Sequence, residues 1–173
     1  MKRLVYILSS FLVLSCSDDY LKETPLSNLS AQQILIKPSG FDMYMTGLYA
    51  ASREEIAMGD NTYYALNQVA TDVVADAGVE YAGLRNYQTL YTPTNNNLAL
   101  LWNWAYTQMI VRANTILSYG EGANIGWESE ARKNRILAEA RFFRAYTYNL
   151  LVHSFGGVPI VDQVSTSPKN DYQ

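Results

Sequence analysis

The sequence predicts an all-α protein, and three features of the chain support this. Apolar residues recur at intervals of three and four along residues 98–117, the spacing that places side chains on one face of an α-helix. Residues 127–155 carry apolar side chains around a wide arc, which indicates a helix packed against more than one neighbour. Residues 156–161 then read Gly-Gly-Val-Pro-Ile-Val, a sequence that ends a helix and continues as extended chain.

The composition fits one globular domain. The 173 residues are 49% hydrophobic and 17% charged, and this length is sufficient for a single hydrophobic core. The formal net charge of −3 disfavours binding to nucleic acid or to anionic lipid headgroups. Tyrosine is frequent, with 14 residues, and its amphipathic ring suits binding surfaces as well as the rim of a core.

The N-terminus has the pattern of a signal peptide. Lys2 and Arg3 precede an apolar run over residues 4–14, which is too short to cross a bilayer because a membrane-spanning helix needs about 20 residues. Ser15 is a small residue before Cys16, the single cysteine of the chain, although the commonest lipobox has a small residue where Leu14 stands. A lone thiol forms neither an internal disulfide nor a metal site. We therefore predict a lipoprotein signal peptide over residues 1–15 and acylation of Cys16; the alternative is an incidental cysteine in a signal peptide cleaved elsewhere.

The next segment is predicted to be a tether over residues 16–29, followed by helical structure from residue 30. We expect a helix that starts at Ser30, breaks over residues 37–40 because of Pro38 and Gly40, and resumes over residues 41–56. One face of the resumed helix is apolar, with members spaced by three and four: Phe41, Tyr44, Met45, Leu48 and Tyr49. A second helix is predicted over residues 63–74.

No helical period survives over residues 76–97, which are predicted to be irregular. The following helix, over residues 98–117, has asparagines before it for capping and Gly120 or Gly122 to end it. Trp102 and Trp104 point to opposite sides of this helix, so we expect one ring in the core and one exposed.

The last predicted helix starts near Trp127 and ends at Phe155. We expect two adjacent buried stripes on it; the first comprises Ala131, Ala138, Phe142, Ala145 and Val152, and the second Phe143, Tyr146 and Leu150. Gly156 permits a left-handed turn at the helix end, Gly157 permits close approach, and Pro159 prevents the helix from resuming.

Residues 139–161 resemble a known family. The sequence Glu-Ala-Arg-Phe-Phe-Arg-Ala-Tyr over residues 139–146, followed by Phe-Gly-Gly-Val-Pro over residues 155–159, is similar to the signature of the RagB/SusD family of outer-membrane nutrient-uptake lipoproteins. Upstream, Cys16 with Asp19-Tyr20-Leu21 and Pro25, and the helix with Tyr106 and Ala113-Asn114, follow the order of that family's N-terminal region.

The resemblance implies a surface lipoprotein, anchored in the outer membrane by acyl chains on Cys16. Such a protein captures oligosaccharides or other nutrients and delivers them to a SusC-like TonB-dependent transporter. The implied fold is a set of irregular tetratricopeptide-like helix pairs, in which Ala138, Phe142 and Ala145 of a second helix pack against a first helix. Family members are typically several times longer, so residues 30–173 are interpreted as the N-terminal helical domain of such a protein, truncated at the C-terminus.

The irregular segment supplies the candidate ligand-binding residues. A sugar ring has an apolar face that stacks on an aromatic plane, while nearby amide and guanidinium groups hydrogen-bond its hydroxyls. That mixture of side chains occurs at Tyr81, Arg85, Asn86, Tyr87 and Tyr91.

Catalytic chemistry finds little support in the sequence. Asp72 and Asp76 lie four residues apart, but a glycosidase pair normally converges from different elements across the sugar. His153 is the only histidine, so neither a histidine metal cluster nor a choice of catalytic triads exists. Arg141 and Arg144, with Tyr148, could hold a carboxylate, although structural pairing is the more frequent use of arginine.

Three functional classes therefore remain. We predict a non-enzymatic glycan-capture lipoprotein without a cofactor or metal. The first alternative is a tetratricopeptide-type assembly lipoprotein whose ligand is a protein. The second is a lipid-anchored glycan hydrolase, which would require two convergent acids that the sequence does not suggest.

Overall fold

The structure is a computed structural model that describes residues 30–55, 71, 92, 94–122 and 125–164. The chain divides into two units, Met1–Ser30 and Ala31–Gln173, and the described elements belong to the second. Within the described residues all regular structure is helical, which confirms the predicted all-α class. The elements are α1 (Ala31–Ile34), α2 (Pro38–Arg53), α3 (Asn96–Asn103), a π-helical segment (Trp104–Ile110), α4 (Val111–Gly120) and α5 (Glu130–Phe155).

Some predicted features lie outside the described residues. These are the signal peptide, the acylated Cys16 and its tether, and the predicted helix over residues 63–74 apart from Thr71, which lies in a bend.

The predicted break before α2 is present, but its position differs from the prediction. The chain leaves α1 through a turn, and Lys37 is extended with φ −150° and ψ 156°. Pro38 then occupies the first turn of α2, where its missing N–H costs nothing and its fixed φ suits a helix. The helix therefore begins at Pro38 rather than after Gly40, and it ends at Arg53 rather than near residue 56.

One hydrophobic core joins α2, the π-helical segment, α4 and α5. Phe41, Met45 and Leu48 of α2 are buried as predicted, whereas Tyr49 is 47% exposed. The two tryptophans of the next helix separate as expected. Trp104 is buried and its indole Nε1–H donates to the Ala51 carbonyl oxygen at 2.9 Å, while Trp102 is 38% exposed.

The helix predicted over residues 98–117 begins earlier and is not uniformly α. Asn95 caps it as expected, because its Oδ1 accepts hydrogen bonds from the N–H groups of Asn97 (2.9 Å) and Leu98 (3.4 Å). The helix accordingly starts at Asn96, within the stretch predicted to be irregular. Its end at Gly120 agrees with the prediction.

The π-helical segment was not predicted. Trp104 and Met109, and likewise Ala105 and Ile110, are buried pairs five residues apart. An α-helix brings residues three and four apart onto one face, whereas a π-helix bonds residue i to i+5. The wider turn therefore keeps both pairs in the core.

Helix α5 starts at Glu130 rather than near Trp127, because Ser129 is its N-cap and accepts a hydrogen bond from the Arg132 N–H at 3.2 Å. Of the two predicted stripes, the second is confirmed, since Phe143 is buried and Tyr146 and Leu150 are half-buried. The buried residues of α5 are Ile136, Leu137, Ala140, Phe143, Thr147 and Leu151.

The first predicted stripe of α5 is wrong. All five of its residues are exposed: Ala131, Ala138, Phe142, Ala145 and Val152. Phe142 is 63% exposed, so among the described residues Ala138, Phe142 and Ala145 do not make the repeat-like helix contact that was expected. The reason is that apolar residues are spread around the whole of α5, while the described neighbouring elements pack on the side of Ile136, Ala140 and Phe143.

Glycine is required at two positions of the fold, one for close packing and one for its backbone conformation. A Cβ on Gly120 would lie 2.6 Å from Leu137 Cδ2 and 3.2 Å from Phe41 Cε1, so this glycine lets α4 approach α5 and α2 closely. Gly156 has φ 74° and ends α5 in a conformation that favours glycine. The close approach predicted at Gly157 is absent within the described residues, since none of their atoms lies within 4 Å of the position its Cβ would occupy.

Candidate functional site

The segment after α5 is held across the helices by hydrogen bonds to its main chain. We call residues 158–163 the strap. Val158 and Val161 of the strap pack against the hydrophobic core, whereas Ile160 is 80% exposed. The side chains that bond the strap come from two parts of the chain. Tyr106 and Asn114 lie on the π-helical segment and on α4, which continues it, and the others lie on α5.

Asn114 is the centre of this arrangement. Its side chain is buried, and its Nδ2 donates to the carbonyl oxygens of Val161 at 2.8 Å and Gln163 at 3.4 Å. Its Oδ1 accepts from Arg144 Nη1 at 2.9 Å, and the same guanidinium nitrogen donates to the Asp162 carbonyl oxygen at 3.2 Å. These contacts satisfy a buried amide that would otherwise destabilise the core.

Two tyrosines extend the contact along the strap. The Tyr106 hydroxyl donates to the Pro159 carbonyl oxygen at 2.6 Å. The Tyr148 hydroxyl accepts from the Val161 N–H at 2.6 Å and lies 3.2 Å from the Val161 carbonyl oxygen, to which it donates. Burial, with a smaller contribution from Tyr148, raises the pKa of Tyr106 to about 12, so its hydroxyl stays protonated and able to donate.

The strap also forms one wall of an open polar cavity of about 590 Å³. The second wall consists of Ser118 and Tyr119 of α4 together with Glu121, which follows this helix. The third wall consists of Arg141 and Arg144 of α5. Arg141 Nη2 is 2.5 Å from Glu121 Oε1 in an exposed ion pair, which contributes little to stability but fixes two charges at the rim. The volume lies within the range of small-molecule sites, and the lining offers both donors and acceptors, as a polyhydroxylated ligand requires.

A second group of polar contacts joins α5 to α2 and the residues just after it. The Tyr49 hydroxyl donates to Glu139 Oε2 at 3.3 Å, and the Tyr146 hydroxyl donates to Glu55 Oε2 at 2.6 Å. Burial, together with the hydrogen bond and the negative charge of Glu55, raises the pKa of Tyr146 to about 12. Burial and the neighbouring Glu139 likewise raise the pKa of Tyr49.

The predicted ligand residues lie outside the part of the chain that the structure describes. This holds for Tyr81, Arg85, Asn86, Tyr87 and Tyr91, so their role in ligand binding stays a prediction. The acids Asp72 and Asp76 are also outside the described residues.

The described residues offer neither a metal site nor a membrane span. In residues 30–55, 71, 92, 94–122 and 125–164, no group of three His, Cys, Asp or Glu side chains is placed to hold a metal ion. Among the helices of these same ranges, none is long and apolar enough to cross a bilayer. His153 lies in the last turn of α5, and its Nδ1 is 2.7 Å from the Asn149 carbonyl oxygen one turn earlier.

The strap contacts account for two polar residues within the apolar sequence of α5, Arg144 and Tyr148. Structural use of Arg144 and Tyr148 was favoured from the sequence, and both side chains bond the strap. The sequence did not indicate Tyr106 and Asn114 as their partners. For Asn114 the sequence did hold a signal, namely its position within an apolar helix face. A buried amide needs hydrogen-bonding partners.

Comparison with known proteins gives two matches. A family model for SusD-like proteins, described as starch-binding and associating with the outer membrane, matches residues 19–173. The chain is also 26% identical, over 182 aligned positions, to SusD-like protein P2 of Formosa agariphila. That alignment covers 98% of this chain and 34% of the relative, so the chain spans about a third of the relative's length. No solved structure matches the chain.

Proposed function

Since this chain belongs to the SusD-like family, we propose that it is a non-catalytic surface lipoprotein that binds oligosaccharides and delivers them to a TonB-dependent outer-membrane transporter. The observation that carries the proposal is the family match over residues 19–173, which includes every described element. The family resemblance of residues 139–159 supports it independently of the fold.

The proposed anchor is the acylated Cys16. The acidic chain has no charge-based attraction to anionic headgroups, so attachment would come from acyl chains. Each buried methylene group contributes about 0.8 kcal/mol, and two or more chains give stable anchoring. The tether over residues 16–29 would then keep the helical domain away from the lipid surface.

The proposed ligand contacts are the side chains named in the irregular segment. The rings of Tyr81, Tyr87 and Tyr91 would stack on sugar faces, while Arg85 and Asn86 would hydrogen-bond hydroxyl groups. The polar cavity beside the strap is a second location with suitable donors and acceptors, and variants can distinguish the two.

Affinity electrophoresis of the full, lipid-modified chain in detergent tests this proposal. Gels would contain one polysaccharide each, with starch first because the family is described as starch-binding. We expect at least one polysaccharide to retard the wild-type chain. Replacing Tyr81, Tyr87 and Tyr91 together by alanine should weaken this binding at least about tenfold, since each stacked ring contributes roughly 0.5–1.5 kcal/mol.

Phe142→Ala is the matched control, because it removes an exposed ring that lies on α5 and is not a proposed ligand contact. Retention of binding by the triple tyrosine variant, with loss in Ser118→Trp, would move the site to the cavity. If no polysaccharide retards the chain and it instead captures a peptide or a partner protein, the glycan proposal is wrong. New reducing ends released from the polysaccharide would indicate a hydrolase.

A further inference from the structure

The hydrogen bonds that the helices make to the strap involve its main-chain groups, while Val158 and Val161 also pack on the core. The groups that receive or supply hydrogen bonds are the carbonyl oxygens of Pro159, Val161, Asp162 and Gln163 and the N–H of Val161. A site that bonds these groups does not require particular side chains on the segment it holds. The 80% exposure of Ile160 fits this, because its side chain has little contact to lose.

We propose that Tyr106, Asn114, Arg144 and Tyr148 form a binding site for main-chain groups, which we call the clamp, and that its occupant is the chain's own strap. The clamp sets the direction in which the polypeptide leaves α5, and it holds the strap as a wall of the polar cavity. This inference is independent of carbohydrate binding and would stand if no glycan bound.

The clamp reaches consecutive residues of the strap from two elements of the fold. Here Asn114 approaches from one element and Arg144 and Tyr148 from α5, on residues that are adjacent along the strap. The Arg144 to Asn114 hydrogen bond also joins these two elements directly.

The preceding residues deliver the strap to the clamp. The α5 helix ends at Gly156, whose φ of 74° redirects the chain, and Pro159 excludes a further helical turn. A proline also leaves its carbonyl oxygen available as an acceptor, and Tyr106 uses it. The Gly-Gly-Val-Pro sequence and the α5 residues Arg144 and Tyr148 therefore act on the same segment.

Amide hydrogen exchange of the full chain, read by mass spectrometry over residues 158–164, tests the clamp. Tyr148→Phe removes the acceptor of the Val161 N–H, and Tyr106→Phe removes the donor to Pro159. We expect each variant to exchange about two- to tenfold faster in the strap, the range for one hydrogen bond of ordinary net strength. Exchange in α2 and in the first half of α5 should not change.

Ile160→Ala is the matched control, because it alters the strap's sequence but none of its main-chain contacts, and we expect wild-type exchange. Asn114→Asp should accelerate exchange in the strap more than either phenylalanine variant. It replaces a hydrogen-bond donor by a carboxylate facing the Val161 and Gln163 carbonyl oxygens. If Asn114→Asp fails to fold, the two phenylalanine variants still decide the question, as each removes only a hydroxyl. Unchanged strap exchange in both phenylalanine variants, or faster exchange in Ile160→Ala than in Tyr148→Phe, would overturn the proposal.

Discussion

Tyrosine hydroxyls carry several of the contacts that join distant parts of the chain, and their protonation is coupled to the fold. The pKa of both Tyr106 and Tyr146 is raised to about 12 from the usual 10. A raised pKa means that the fold favours the neutral hydroxyl. The stability from these hydroxyls is therefore complete below pH 10 and is lost as the pH rises from 10 to 12.

Ultraviolet titration of tyrosinate measures this effect. The difference between the titration curves of the wild type and Tyr106→Phe should have its midpoint near pH 12, and Tyr146→Phe should behave in the same way. Ile160→Ala is the control, because it keeps every tyrosine and the hydrogen bonds of Tyr106 and Tyr146, and we expect a wild-type curve. A midpoint near 10 for both variants would show that these hydroxyls do not depend on their buried partners.

A second prediction at the level of residues concerns Cys16. Because it follows a short apolar run and a small residue, we expect it to be acylated after removal of residues 1–15. Cells grown with labelled fatty acid should incorporate the label into the wild-type chain and not into Cys16→Ser. Mass spectrometry of the mature N-terminus locates the modification, and a wild-type chain without label, or cleaved at another residue, would contradict the prediction.

Among the elements, the π-helical segment has the clearest consequence. Deleting the exposed Thr107 places Trp104 four residues before the present Met109, and Ala105 four before Ile110, which is α-helical spacing. We expect this deletion to give an ordinary helix that keeps both pairs buried and unfolds cooperatively, measured by circular dichroism during thermal denaturation.

Deletion of the exposed Ala138 is the matched control. Helix α5 is α-helical there, so losing one residue would rotate Phe143, Thr147 and Leu151 away from the core. We expect that variant to lose its cooperative transition. The account of the π-helical segment would be wrong if the Thr107 deletion were as damaging as the Ala138 deletion.

Local sequence signals predicted the elements well and their packing faces less well. The Asn95 cap and the end at Gly120 could be predicted because capping depends on nearby residues. The buried side of α5 could not, because alanines and aromatics lie all around this helix and its partners decide which side is covered. The π-helical segment was missed for a related reason, since a spacing of five is visible only once the core is known.

At the scale of the whole molecule, the family could be predicted from residues 139–159, but the role of those residues could not. The bonds from Tyr106 and Asn114 to the strap join residues 53 and 47 positions apart in the chain. Sequence spacing carries no information about such pairs, whereas it does indicate helix neighbours. The five predicted ligand residues remain a proposal, since they lie outside the described part of the chain.

The central claim is that this chain captures glycans at the outer membrane. Its most direct test is the binding of labelled polysaccharide to intact cells. Cells that carry the full wild-type chain should bind at least one labelled polysaccharide at their surface, and cells that carry Cys16→Ser should lose most of this binding while the secreted variant still binds in solution. Absence of surface binding across a polysaccharide panel that includes starch, with the wild-type chain present in the outer membrane, would contradict the account.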